Sequence, residues 1–244
     1  QQEMILLLVN TEGDAELESA AVDMMLDRQV EGIIYASMYH RPVTPPETIL
    51  QVPTVLLDCY CEDHSLSSVV PDEIQGGRDA TEALLREGHR RIGFINNQDP
   101  VPAASGRLEG YKQALAAFGA AYDESLVCAD RVEQAGGYRS AFELMQRPDP
   151  PTALFCFNDR TAMGAYDALR KLNLSIPEDV AVIGFDNQEN IAAYLFPSLS
   201  TMQLPHYEMG LWAANQVIDQ AHGEGSEEPI QHQAVCSLIE RESI

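Results

Sequence analysis

The chain has 244 residues, 45% hydrophobic and 22% charged, with 38 acidic against 15 basic side chains and a net charge of −23. That length holds one large α/β domain or two smaller lobes. A surface so acidic repels a phosphate backbone, so any contact with nucleic acid has to come from residues outside this stretch. No apolar run approaches the roughly 18 residues of a membrane helix, and residues 4–9 lack the basic start and cleavage site of a signal peptide.

Strands are expected at residues 4–9, 32–36, 54–58, 91–96, 153–157 and 180–186. These runs are almost continuously apolar, as in strands covered on both faces. Helices are expected between them. Leu17, Ala21, Met24 and Met25 form a stripe, Ala80, Ala83 and Leu84 lead to a C-cap at Gly88, and residues 107–118 and 161–172 follow. The alternation predicts βαβ units and parallel sheets, an α/β fold. Residues 65–77, with Pro71 and a Gly pair, and 195–205, with Pro197 and Pro205, read as linkers or hinges, and 223–229 as a solvated loop. Around Met209 to Ala214, then Val217 and Ile218, a helix is apolar over more than one stripe. That predicts a second covered face, best supplied by a homodimer contact.

In a parallel sheet, ligands bind beyond the carboxyl ends of the strands. Here those ends carry Asn10, Asp58, Asn96 with Asn97, Asn158 with Asp159, and Asp186 with Asn187. Such residues serve as turn formers and helix caps, the role expected for Asp159. Together they also form a ring of amides and carboxylates suited to hydroxyl-rich ligands, with Arg107 as a forked donor. Asp58 and Asp186 would make a glycosidase pair only if they faced each other. No nucleophile elbow, phosphate loop, dinucleotide fingerprint or zinc-protease motif is present, so no enzyme activity and no cofactor is expected. Cys59, Cys61, Cys128, Cys156 and Cys236 are odd in number and read as buried thiols. No second Cys or His pair completes a metal site with Cys59 and Cys61.

Several phrases resemble the LacI family of transcription regulators: Arg107-Leu-Glu-Gly-Tyr111, Pro151-Thr-Ala-Leu-Phe-Cys-Phe-Asn-Asp159, Ile176-Pro-Glu-Asp-Val-Ala-Val-Ile-Gly-Phe-Asp186 and Leu238-Ile-Glu-Arg-Glu-Ser243. Pro197-Ser-Leu-Ser-Thr201 and Glu208-Met-Gly210 fit as well, and the match covers essentially the whole chain. The resemblance implies a type I periplasmic-binding-protein-like core of two similar lobes, each a parallel sheet flanked by helices. Residues 1–70 with 203–235 would form the N-terminal lobe, and 71–202 with 236–244 the C-terminal one. A small polar effector, a sugar or related metabolite, would bind between them. Arg107, Asn158 and Asp186 match the family's main effector contacts, with Asp58 from the other lobe. Where relatives carry a stacking aromatic this chain has Val132, leaving Phe185, Tyr35 and Tyr39 as substitutes. Met209, Trp212, Ala213 and Gln216 are the implied dimer contacts.

Family members begin with a DNA-binding headpiece and a first βα unit, both absent from these residues. Without that strand two apolar edges would lie unpaired, so the natural protein is expected to be longer. The expected partners are an effector, a second copy and, through the missing headpiece, operator DNA, in the cytoplasm and away from membranes. The alternative is a periplasmic sugar-binding component of a transporter, which shares the two-lobed fold.

Overall fold

The computed structural model describes residues 4–226 and 228–244; Glu227 of the expected 223–229 loop lies outside the described residues. The chain divides into Gln1–Val70 with His206–Ala234, and Pro71–Pro205 with Val235–Ile244. Residues 203–205 and Val235, expected in the N-terminal lobe, thus belong to the C-terminal one. Gln203 is held there by a strand register that sets it opposite both Asp186 and Ser237.

In the N-terminal lobe, strands β1 (Ile33–Pro42), β2 (Thr54–Tyr60), β3 (Ser67–Pro71) and β9 (Gln231–Ala234) form one sheet in the order β1-β2-β3-β9. β1 and β2 are parallel, as are β2 and β3. Helix α1 (Ala15–Asp27) starts where the Asp14 carboxylate accepts the N–H groups of Glu16 and Leu17 at 2.9 and 3.0 Å, capping orphan donors of its first turn. Helix α7 (His206–Ala221) lays Met209, Ala213 and Val217 on Val55, Val69 and Ala234.

Residues 4–9 do not form the expected strand. They pair with no neighbour, and Ile5 and Leu8 are 93% and 87% exposed. An apolar run becomes a strand only where another backbone takes up its N–H and C=O groups. Among the described residues β1 is the edge of its sheet and pairs with β2 alone.

The C-terminal lobe holds β4 (Ile92–Asn97), β5 (Val127–Asp130), β6 (Ala153–Cys156), β7 (Ala181–Asp186), β8 (Ser200–Gln203) and β10 (Ser237–Ile239), in the order β10-β8-β7-β6-β4-β5. All are parallel except β10, which runs against β8. Period-two alternation divides the core. Phe94, Phe155 and Ile183 meet helices α2 (Glu73–Arg86) and α3 (Pro102–Ala117) on one face. Ile95, Leu154 and Val182 meet α4 (Gln134–Met145) and α5 (Asp159–Lys171) on the other. Covered faces on both sides explain why the strand sequences are continuously apolar.

Two sequence expectations change in this lobe. Gly76 and Gly77 are no linker: they lie inside α2, where a Cβ on Gly77 would overlap the Arg107 backbone. Helix α3 begins at Pro102, five residues before the expected start, with proline in its first turn where no N–H is needed. Arg107 therefore sits in the second turn rather than at the helix end. Short α6 (Glu189–Ala192) follows β7. The five cysteines are free, and burial pushes the Cys59 and Cys236 thiols up to about 12, which keeps them protonated and unreactive.

Candidate functional site

β4 lies between β5 and β6 while preceding both in the chain, so the chain runs outward from β4 to β5 and then back past β4 to β6. Such a switch point opens a crevice beyond the strand ends. Asn96 and Asn97 end β4, Phe157 and Asn158 follow β6, and Asp186 ends β7.

Arg107 lies at this crevice but points inward and is 3% exposed. Its Nε donates to Glu73 Oε2 at 2.8 Å and its Nη1 to the Phe157 carbonyl at 2.5 Å. The guanidinium carbon sits 3.6 Å from the Phe185 ring centroid and 4.4 Å from that of Phe157, so the cation lies against two aromatic π-systems. Phe185, expected to stack on a ligand, is fully buried and stacks on this arginine instead. Gly76 makes room for it, because a Cβ there would stand 2.7 Å from the ring.

The cap expected at Asp159 is Asn158 instead. Asn158 caps α5: its Oδ1 accepts from the Thr161 N–H and hydroxyl, both at 2.8 Å, while its Nδ2 donates to the Val132 carbonyl at 3.3 Å. Asp159 is the first residue within the helix and is fully buried. Its carboxylate accepts from the Thr201 hydroxyl and the Gln188 N–H, both at 2.6 Å. Burial, seconded by the nearby Asp186 charge, raises its pKa to about 7 against the pull of those donors and of Arg241.

This raised pKa has a consequence for stability. The unfolded chain binds the Asp159 proton near 3.8 and the folded chain near 7. The group's stabilising contribution is therefore complete below the lower value and is lost as pH rises through the upper one. Asp159→Asn, which cannot ionise, is expected to lack this component. In urea unfolding at pH 5 and pH 8, the native chain should lose about 3 kcal/mol relative to the variant. Parallel pH profiles would show that Asp159 titrates normally.

Asp186 is half-buried at the crevice, its Oδ2 accepting from Gln188 Nε2 at 3.0 Å. Its φ is 103° and that of Asn187 is 52°, both left-handed, a strained backbone for residues with a Cβ. Asn187 is held on both sides: it donates to Gln203 at 2.5 Å and accepts from Arg241 at 2.7 Å. Asn96 is turned into the protein, donating to the Ala104 carbonyl at 3.1 Å. Val132, at the position where an aromatic was expected, packs with Ala103, Ala104 and Phe157.

In the N-terminal lobe, Asp58 stands within β2, half-buried, with a left-handed φ of 57°. Tyr35 is committed to its own lobe: it packs with Val22, Ile33 and Ile49, and burial together with a hydrogen bond to Glu18 pushes its hydroxyl up to about 12. Tyr39 is exposed, with Arg41 over its ring. On α7, Met209 and Ala213 are buried in their own lobe and leave no surface for a second chain. The resemblance implied that they meet a partner, but the apolar stripe that carries them faces the sheet of their own lobe. Trp212, stacked on His232, and Gln216 are half-buried, while Tyr207 and Leu211 are 77% and 50% exposed.

Glu73, Phe157, Gln188 and Thr201 were not singled out from the sequence. Glu73 is 34 residues from Arg107 and Thr201 is 42 from Asp159, and no local pattern announces pairings at such distances. Among the described residues, no group of three or more His, Cys, Asp or Glu is placed to hold a metal ion. No helix there is long and apolar enough to cross a membrane.

A family model described as a periplasmic binding protein-like domain matches residues 81–244. The chain is 32% identical over 247 residues to the repressor PurR of Escherichia coli O139:H28, covering 100% of this chain and 72% of that protein. It is 31% identical over 213 residues to the ribose operon repressor of Haemophilus influenzae, covering 87% of this chain and 64% of that one, so it spans less than two thirds of that relative. A crystal structure of a LacI-family transcriptional regulator from Rhizobium etli superposes with a TM-score of 0.88 at 33% identity, covering 97% of this chain and 86% of that one. These relatives are transcription regulators, neither enzymes nor transport components. The chain belongs to the LacI family, and its two-lobed α/β fold is that family's periplasmic-binding-protein-like core.

Proposed function

We propose that this chain is the effector-binding and dimerising core of a cytoplasmic transcriptional repressor. It takes a small polar ligand, a sugar, on the carboxyl-end rims of its strands and controls operator binding by a headpiece outside these residues. The observation that carries this reading is the switch point between β4 and β6, with Asp186 presented on the strained end of the neighbouring strand β7. The relative named for a ribose operon supports a sugar. The ligand would act by favouring one of two conformations that differ in operator affinity. The test is a thermal-shift panel of neutral sugars, nucleosides and purines on the 244-residue chain. A ligand at about 100 times its Kd adds about 2.7 kcal/mol. A panel in which only a nucleobase shifts the melting temperature would replace the sugar reading.

The homodimer forms through the outward face of α7. Tyr207 and Leu211 are four residues apart and both exposed, so they share a helix face, with Trp212 and Gln216 at its margin. Leu211→Glu is expected to convert the dimer to a monomer at micromolar concentration by sedimentation equilibrium. Unchanged mass would move the interface elsewhere.

A further inference from the structure

We infer that the N-terminal lobe carries a ligand site of its own, a cavity beside its sheet that takes a small organic amine with an apolar body. The cavity follows from how the strands are joined. β1, β2 and β3 are parallel neighbours in chain order. Each connection must therefore return along the sheet, and right-handed crossovers that advance in one direction lie on one face. A parallel connection ordinarily needs about a dozen residues or more, with a helix to cover that face. Here Tyr60 ends β2 and Ser67 begins β3, and the connection from β1 to β2 holds only the 3-10 turn Glu47–Gln51. Straps this slight do not close over the sheet. Between them lies a cavity of about 560 Å³, bounded by residues from the stretches 42–50 and 61–66.

Its walls suit a small molecule, whose pockets span roughly 300–1,000 Å³. Ile49 and Cys61, 1% and 8% exposed, supply buried apolar lining, and Val43 and Leu66 pack with Cys61. Leu50 also lines the cavity and is 62% exposed, so an apolar group entering there would cover it. Pro42, Pro45 and Pro46 fix φ along one strap, which shapes that wall before a ligand arrives and lowers the cost of ordering it.

Charge selects the occupant. Glu47, Glu62 and Asp63 line the cavity, and among the described residues no Lys, Arg or His does. Asp63 accepts from the Ser65 hydroxyl and, at 3.1 Å, from the Ser65 N–H; these bonds hold its carboxyl below the usual carboxylate range and keep it ionised. The cations that adjoin the two straps in sequence are engaged elsewhere. Arg41 donates to Ser37 at 2.9 Å and lies over the Tyr39 ring, while His64 stacks on Tyr60 with its Nδ1 3.2 Å from Gln231 Oε1. An anion would be repelled here, and a neutral molecule would leave the carboxylates to water. An ammonium group donates to them while its apolar body fills the lining.

The test compares, by titration calorimetry on the 244-residue chain, phenethylamine with 2-phenylethanol, which has the same shape without the charge. The native chain is expected to bind the amine about tenfold more tightly, a modest ratio because exposed carboxylates are well solvated, and the preference should shrink in about 1 M salt. Glu62→Gln combined with Asp63→Asn should bring the two affinities together. Thr44→Trp, at an exposed lining position, should fill the cavity and weaken the amine about tenfold or more. An amine bound by the native chain no more tightly than the alcohol overturns the proposal, and that comparison requires no variant to fold. Amine affinity unmoved in folded Thr44→Trp overturns it too, because the cation then sits elsewhere on the acidic surface.

Discussion

Asp186→Ala is expected to abolish the thermal stabilisation that a bound sugar confers, while leaving the ligand-free chain folded. Asp186 ends β7 in the sheet interior, and its carboxylate is half-exposed on the C-terminal rim. Hydrogen bonds from ligand hydroxyls to a carboxylate contribute about 1.5–3 kcal/mol each. Losing two of them weakens binding by about 100-fold or more, enough to erase most of a shift measured at 100 times the native Kd. The backbone supplies an internal control. At φ 103° an alanine is no better accommodated than aspartate, whereas glycine adopts this angle freely. Asp186→Gly should therefore lose the ligand-induced shift yet melt higher than Asp186→Ala without ligand. A sugar-induced shift retained in both variants would remove Asp186 from the site.

Gly137→Ala is expected to lower the melting temperature more than any conservative change on the protein surface. Its new Cβ would lie far inside the 3.0 Å that real Cβ atoms keep, and the atom it meets is the Thr161 carbonyl oxygen, part of a backbone that has no side chain to swing away. Helices α4 and α5 would have to separate along their contact. Overpacking of this kind costs about 1–3 kcal/mol where side chains can yield, so about 3 kcal/mol is expected here. That corresponds to roughly 6–12 °C for a domain of this size. The displaced turn carries the Asn158 cap, so ligand affinity should fall with it. Gly210→Ala is the counterpart: nothing lies within 4 Å of its new Cβ on α7. Replacing a helical glycine where space is open should stabilise by about 0.5–1 kcal/mol. Equal melting temperatures for the two variants would contradict the close crossing of α4 and α5.

Much of the rim was legible because it follows from two local facts. Continuous apolar runs mark strands covered on both faces, and in a parallel sheet all their carboxyl ends share one edge. Residue order alone therefore groups Asn96, Asn158 and Asp186. What each does there could not be read. Asn and Asp at a strand-to-helix junction have the same local propensities, and which becomes the cap depends on where the backbone turns. One residue of difference placed Asn158 on the Thr161 donors and sent Asp159 beneath the rim to Thr201. Phe185 looked available for stacking because an aromatic at a strand end carries no sign of what covers it, and Gly76 admits its ring to the interior.

By itself the amino-acid order determined the α/β class, the two-lobed plan through its family phrases, and the polar strand ends, since periodicity, turn chemistry and motif spacing are written in neighbouring residues. Tertiary structure alone decided that residues 4–9 pair with no strand, that Met209 and Ala213 face inward, and that Arg107 is neutralised by Glu73. Each of these outcomes depends on atoms brought together from distant parts of the chain. Ladder pairing, burial and charge compensation are properties of such contacts, and no local window of sequence contains both partners.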